Sequence, residues 1–198
     1  MVVVVAALKG GVGKTTTSVY LAALAAAARH QVTLVDADPQ ASAADWVENA
    51  DDELLAGITL AEAPTDRLLV KALDRVREGE VAVVDTPPGN DRLLLKAIER
   101  AHAIVLPTRV GGVETQRVEA VLELVPRNVP VGLVICSART YTRDFQDAVV
   151  GWRQAGVQVW GSVPERVAIA SGPDGWLSPD GLESYRRVWR RASAAGRD

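Results

Sequence analysis

The sequence predicts an α/β fold, a single doubly wound and mainly parallel sheet flanked by helices. Three observations carry that prediction. Short apolar runs alternate along the chain with segments of helical character, the order that builds right-handed strand–helix–strand units. Several runs, such as 2–7 and 81–84, are apolar without interruption, as in strands covered on both faces. Three of the runs end at a glycine-rich turn or an acid, which belongs at the carboxyl ends of strands where open α/β sheets bind ligands.

Taken in order, residues 2–7 predict a buried strand, and residues 17–29, dense in alanine and leucine, predict a helix packed on most of its faces. Between them lies Leu8-Lys9-Gly10-Gly11-Val12-Gly13-Lys14-Thr15-Thr16. Strand, glycine-rich turn and helix form the context of a phosphate-binding loop. The glycines let backbone N–H groups converge on an anion, and the helix N-terminus adds its dipole. In that motif Lys14 reaches the β- and γ-phosphates and the Thr15 hydroxyl holds Mg²⁺.

One position departs from the common pattern G-x-x-x-x-G-K-[ST], because Leu8 stands where its first glycine would fall and a second lysine, Lys9, follows. With Lys9, Gly10, Gly11, Gly13, Lys14 and Thr15, the segment resembles the deviant Walker A motif K-G-G-x-G-K-[ST] of the ParA/MinD family. The resemblance implies ATP and Mg²⁺ as cofactors and a loop, 9–16, wrapped around the phosphates. It also implies that Lys9 reaches across a homodimer to the partner's nucleotide. Without the resemblance, Lys9 is an ordinary loop lysine.

Residues 31–36 predict a second strand that ends in Asp36-Ala37-Asp38-Pro39-Gln40, followed by a helix carrying Ala43, Ala44, Trp46 and Val47. By themselves the two aspartates are turn formers before a proline. The family's V-D-x-D-P-Q segment implies Asp36 near the metal's water shell and Asp38 as the catalytic group orienting the attacking water. Residues 58–63 predict a strand and 66–77 a helix, while Asp45, Glu48, Asp51, Asp52 and Glu53 are expected on a solvated face. The strand 81–85 ends in Asp85, the position from which a carboxylate takes a magnesium-bound water. Thr86-Pro87-Pro88-Gly89 resembles the family loop that senses the γ-phosphate.

Further strands are expected over 103–107, 131–136 and 157–163, with a closing helix over 181–195. By resemblance, Glu114 matches an acid that follows the first of these, and Ser137, Arg139 and Pro164 lie in the loops that contact the base. No Asn-Lys-x-Asp segment occurs, which favours adenine over guanine. Glu165 stands where relatives often carry arginine, which displaces Arg166 and weakens any DNA role for that loop. Arg186, Arg187, Arg190 and Arg191 recur at helical spacing on one side of the closing helix, with Leu182, Tyr185, Val188 and Trp189 facing the core. Two readings stand for those arginines: a solvated face, or a patch on DNA phosphates.

At 198 residues and 48% hydrophobic, the chain is expected to form one domain, 1–198, with no repeats and no room for a helix-turn-helix extension before the loop. The lone Cys136 excludes an internal disulfide framework or a paired-cysteine metal site. No run approaches the ~20 apolar residues of a membrane span, and a cytoplasmic, nucleoid-associated protein is expected. Net charge is −3, unevenly spread: residues 1–99 hold nine basic and fifteen acidic side chains, residues 100–198 thirteen arginines and ten acids. Bulk charge therefore excludes a general nucleic-acid binder, and only a face of the second half could serve. The family resemblance, closest to small ParF-like partition proteins, implies an ATPase switch. It would dimerise on ATP, bind non-specific DNA and be released when a ParB-like or cargo-adaptor partner stimulates hydrolysis. The alternatives are a MinD-like division-site regulator, which needs an apolar tail that residues 192–198 do not supply, and a small-molecule ligase or kinase.

Overall fold

The computed structural model describes residues 1–89, 92–170 and 177–196. Seven strands form one sheet: β1 (Val2–Val5), β2 (Val32–Asp36), β3 (Thr59–Glu62), β4 (Val81–Asp85), β5 (Ala103–Thr108), β6 (Val131–Ala138) and β7 (Val159–Pro164). Their order is β3-β2-β4-β1-β5-β6-β7 and every pairing is parallel, as expected. The chain runs from β1 outward to β2 and β3, returns through β4, and then continues on the other side through β5. That reversal puts a topological switch at β1, where a crevice opens beyond the strand ends.

Period-two alternation along β1 feeds two separate cores. Val3 and Val5 join the core under α1 (Lys14–Ala27), α2 (Ser42–Asn49), α3 (Glu53–Ala56), the short α8 (Val167–Ala170) and α9 (Pro179–Ala195). Val2 and Val4 join the core under α4 (Asp66–Leu73), α5 (Arg92–Ile98), α6 (Gly112–Leu122) and α7 (Arg143–Gln154). With both faces covered, the central strands must be apolar throughout, which explains the unbroken valine runs.

Several boundaries differ from the sequence expectation for local reasons. The first helix starts at Lys14, not Thr17, because left-handed Gly13 turns the chain straight into it. The helix expected over 66–77 ends at Leu73; tighter i−3 hydrogen bonds at Arg75 and Val76 close it before the Gly79 turn. Strand β6 runs on to Ala138 through left-handed Ser137, with register shifts against β7.

Asp52 corrects the expectation of a merely solvated acid. Its Oδ1 accepts from Leu54 N at 2.9 Å and caps α3, and its Oδ2 accepts from Leu177 N at 3.3 Å just ahead of α9. Helix α9 is clamped to α1 by aromatics. The Tyr20 ring stacks on Tyr185 with centroids 5.1 Å apart, and its hydroxyl accepts from Ser178 N at 2.9 Å. Gly181 lies so close that a Cβ there would sit 2.4 Å from the Tyr20 ring.

Candidate nucleotide-binding site

The loop between β1 and α1 is held in the shape an anion requires. Gly11 and Gly13 are left-handed at φ +74° and +100°. A Cβ on Gly13 would also come within 3.1 Å of the Cys136 sulfur, whereas one on Gly10 would meet nothing within 4 Å. Gly13 is thus needed by the protein, and Gly10 leaves open space on the loop. Helix α1 has no side-chain cap and no acid in its first turn, so no side chain competes with an anion for its leading N–H groups and dipole.

Lys14 is 7% exposed and its Nζ donates to the Lys9 carbonyl at 3.2 Å. Burial lowers its pKa, and attraction from Asp85 and then Asp38 partly restores it. Val12 is buried, Thr15 and Thr16 half-buried, and Lys9 exposed at the loop's outer edge.

Asp85 ends β4 beside the loop and is 1% exposed. Its Oδ2 accepts from Thr15 Oγ1 at 2.8 Å and its Oδ1 from Ser18 Oγ at 3.0 Å. Burial pushes its carboxyl up to about 7 against the pull of the Thr15 hydrogen bond; nearby Asp36 adds to the rise, and Ser18 and Lys14 oppose it. Asp36 is the register neighbour of Asp85 across the β2–β4 pairing. Its Oδ2 accepts from Ala43 N at 2.9 Å and Ala44 N at 3.0 Å, and its Oδ1 from Asp38 N at 3.0 Å. It therefore caps α2, whose own N-cap Ala41 has no side chain to offer. Burial raises the Asp36 pKa and the three N–H donors pull it back. Asp38 is half-exposed, with Oδ1 accepting from Gln40 N at 3.0 Å.

Two buried carboxylates and the Thr15 hydroxyl form a hard-oxygen set that fits Mg²⁺, and a cation there would offset the cost of burying Asp85. Among the described residues no group of three or more His, Cys, Asp or Glu is arranged to hold a metal. Mg²⁺ at nucleotide sites needs only one or two carboxylates, with water and phosphate completing its shell. Asp85 is the more available candidate donor, since its two oxygens accept from side-chain hydroxyls that can rotate, whereas both Asp36 oxygens serve fixed backbone N–H groups. Nearby, Thr86 Oγ1 donates to the Val5 carbonyl at 2.8 Å and ties the start of the loop after β4 to β1.

A cavity of about 520 Å³ runs from Gly11–Thr16 to the ends of β6 and β7, lined there by Cys136, Ser137, Pro164, Glu165 and Arg166. Ser137 and Pro164 thus line the same cavity as the glycine loop. Arg139 is instead engaged at the rim, its Nε 2.6 Å from Glu165 Oε2. The arginines named for DNA do not form one cluster. Arg166 lines the cavity, with Nε 3.8 Å from Asp180 Oδ2. Arg186, Arg187, Arg190 and Arg191 are exposed on α9, and Arg190 borders a second cavity with His30, Arg100 and His102 at the amino ends of the strands. The Glu114 side chain lies outside the described residues, as do 90–91 and 171–176.

Sequence reasoning missed Ser18, Thr17, Tyr185 and Arg109. Ser18 had a signal, lying three residues after Thr15 on the same helix face. Tyr185 lines the cavity and its hydroxyl lies 3.0 Å from Thr17 Oγ1, but nothing local links positions 168 apart.

A glycine loop between the first strand and helix of a parallel sheet, with a threonine hydroxyl on an acid-ended neighbouring strand, defines a P-loop nucleotide-binding protein. The chain belongs to the family described as the CobQ/CobB/MinD/ParA nucleotide binding domain, whose model matches residues 3–175. It is 50% identical to the Maintenance of carboxysome distribution protein A of Gloeobacter kilaueensis, over 50% of this chain and 45% of that one. It is 35% identical to Protein ParA of Rhizobium radiobacter, over 54% and 48%. The chain thus spans about half the length of these curated relatives. An ATP complex of a variant of Cyanothece McdA shares the fold, with a TM-score of 0.76 at 17% identity over 98% of this chain and 95% of that one.

Proposed function

We propose that this protein is a ParA-type ATPase switch that positions DNA or another cargo. The observation that carries the reading is Lys9 at the exposed edge of a loop whose second lysine, Lys14, is buried against Asp85 and Asp38. In this reading the loop N–H groups and Lys14 hold the phosphates of ATP, and Thr15 and Asp85 hold Mg²⁺. Bound there, Mg²⁺ supplies charge neutralisation on the phosphate oxygens. Asp38, with one oxygen fixed by the Gln40 N–H, orients the attacking water. Lys9 reaches the nucleotide of a second copy, so the site is completed only in the dimer.

The dimer binds DNA without sequence preference through the α9 arginines, in a nucleoid-associated cytoplasmic protein. Hydrolysis, stimulated by a ParB-like or cargo-adaptor protein, releases it. Among the described residues no helix is long and apolar enough to cross a membrane. The test is whether ATP makes the purified chain bind duplex DNA of arbitrary sequence. Turnover without such binding would favour a small-molecule ligase or kinase.

A further inference from the structure

The nucleotide cavity has two chemically different ends. One is the donor-rich loop; the other is lined by Val163, Pro164, Val167 and Ile169. Val167 is 87% exposed, an apolar side chain at the cavity mouth that a bound ring would cover. A nucleotide with its phosphates on the loop carries its base to this end. The charged groups there are Arg109, Arg166 and Glu165, and the carboxylate alone among them accepts hydrogen bonds.

Glu165 is set in place from two sides. Its N–H donates to the Ala138 carbonyl at 3.3 Å, joining the two loops that frame the base end. Arg139 Nε donates to Oε2 at 2.6 Å and leaves Oε1 to accept elsewhere. The Arg139 hydrogen bond and charge, with Arg109 further off, hold the carboxyl below its usual range, so it is ionised at neutral pH.

We infer that Glu165 reads the base, its carboxylate accepting from the 6-amine of adenine, an inference that rests on the nucleotide reading above. Arg139 is the positioning residue that holds it. Hypoxanthine presents a carbonyl where adenine has the amine, and two acceptors facing one another repel. Guanine also carries a 6-carbonyl, but its N1–H and 2-amine follow along the same edge, so a carboxylate aligned with those donors would choose guanine. The missing Asn-Lys-x-Asp segment and the ATP held by a protein of the same fold favour the adenine edge.

The experiment is equilibrium binding of ATP, ITP and GTP with Mg²⁺ to the full chain and to Glu165→Ala, Glu165→Gln and Arg139→Ala. The parent should prefer ATP over ITP by about tenfold, the scale of a hydrogen bond to a charged group. Glu165→Ala should bring the two within about twofold of each other, mainly by weakening ATP. Glu165→Gln, whose amide can also donate, should raise ITP affinity, and Arg139→Ala should give an intermediate ratio. An unchanged ratio in Glu165→Ala, equal losses for ATP and ITP, or a parent that binds GTP better than ITP would overturn the inference. A parent that binds none of the three would instead sink the nucleotide reading itself.

Discussion

Lys14, Thr15 and Asp38 occupy one small site but answer to different parts of the reaction, and their variants should separate. In the proposed mechanism Lys14 neutralises ground-state phosphate charge, so Lys14→Ala should abolish measurable ATP binding. If Asp38 acts on the water as proposed, Asp38→Ala should bind ATP within about threefold of the parent and lose turnover by about 10²-fold or more. Binding and single-turnover assays check both, and normal turnover in Asp38→Ala would refute its assignment. Cys136 offers a pH test. Burial pushes its thiol up to about 11, above the ordinary thiol range, so near pH 8 roughly one molecule in 10³ carries the reactive thiolate. Alkylation of the native protein should be slow at pH 8, speed up as pH rises toward 11, and slow further with ATP in the cavity that Cys136 lines. Native alkylation at pH 8 as fast as in urea would contradict this environment. At this scale the sequence was legible where chemistry is local. The places of the loop and of Asp85 could be read, because a glycine-rich turn after one apolar run and an acid at the end of another mark strand ends; the role expected of Asp38 came from the family resemblance. The capping role of Asp36 was partly hidden; the absence of a polar side chain at Ala41 was its signal. The Arg139–Glu165 pair spans 26 positions and depends on two strands lying side by side, which no window of sequence displays.

Helix α9 shows how an element can be read in pattern and missed in purpose. Its buried Tyr185, Val188, Trp189 and Ala192 and its exposed arginines follow helical spacing, so its core face was visible in advance. Its attachment to α1 was not, because the Tyr20 clamp joins residues far apart in the chain. Gly181→Ala would drive a methyl group to 2.4 Å from the Tyr20 ring, and overpacking of this kind costs about 1–3 kcal/mol. Thermal or urea unfolding should show that loss, and an unchanged midpoint would mean that α9 is not held as described. The outer face makes a different prediction. Changing Arg186, Arg187, Arg190 and Arg191 to alanine should weaken ATP-dependent DNA binding and flatten its salt dependence, by roughly 0.9 in log–log slope for each phosphate no longer neutralised. Since Arg166 lies at the nucleotide cavity, Arg166→Ala should alter nucleotide affinity more than that slope.

For the whole molecule, the alternation of apolar runs with helices was enough to predict the parallel sheet, because both-face burial leaves few other solutions. Strand order and the placement of α5, α6 and α7 rest on long-range pairing and were beyond its reach. What the fold achieves is convergence. Three strand ends bring Lys14, Asp38 and Asp85 near one another, while Lys9 is exposed on the loop. In the proposed switch, ATP joins two chains through Lys9. The most direct measurement is the solution mass by light scattering, with and without ATP and Mg²⁺, of Asp38→Ala and of the double variant Lys9→Ala, Asp38→Ala. Asp38→Ala should double in mass with ATP, and the double variant should bind ATP yet stay monomeric. A monomeric Asp38→Ala saturated with ATP, or a double variant that dimerises equally well, would contradict it.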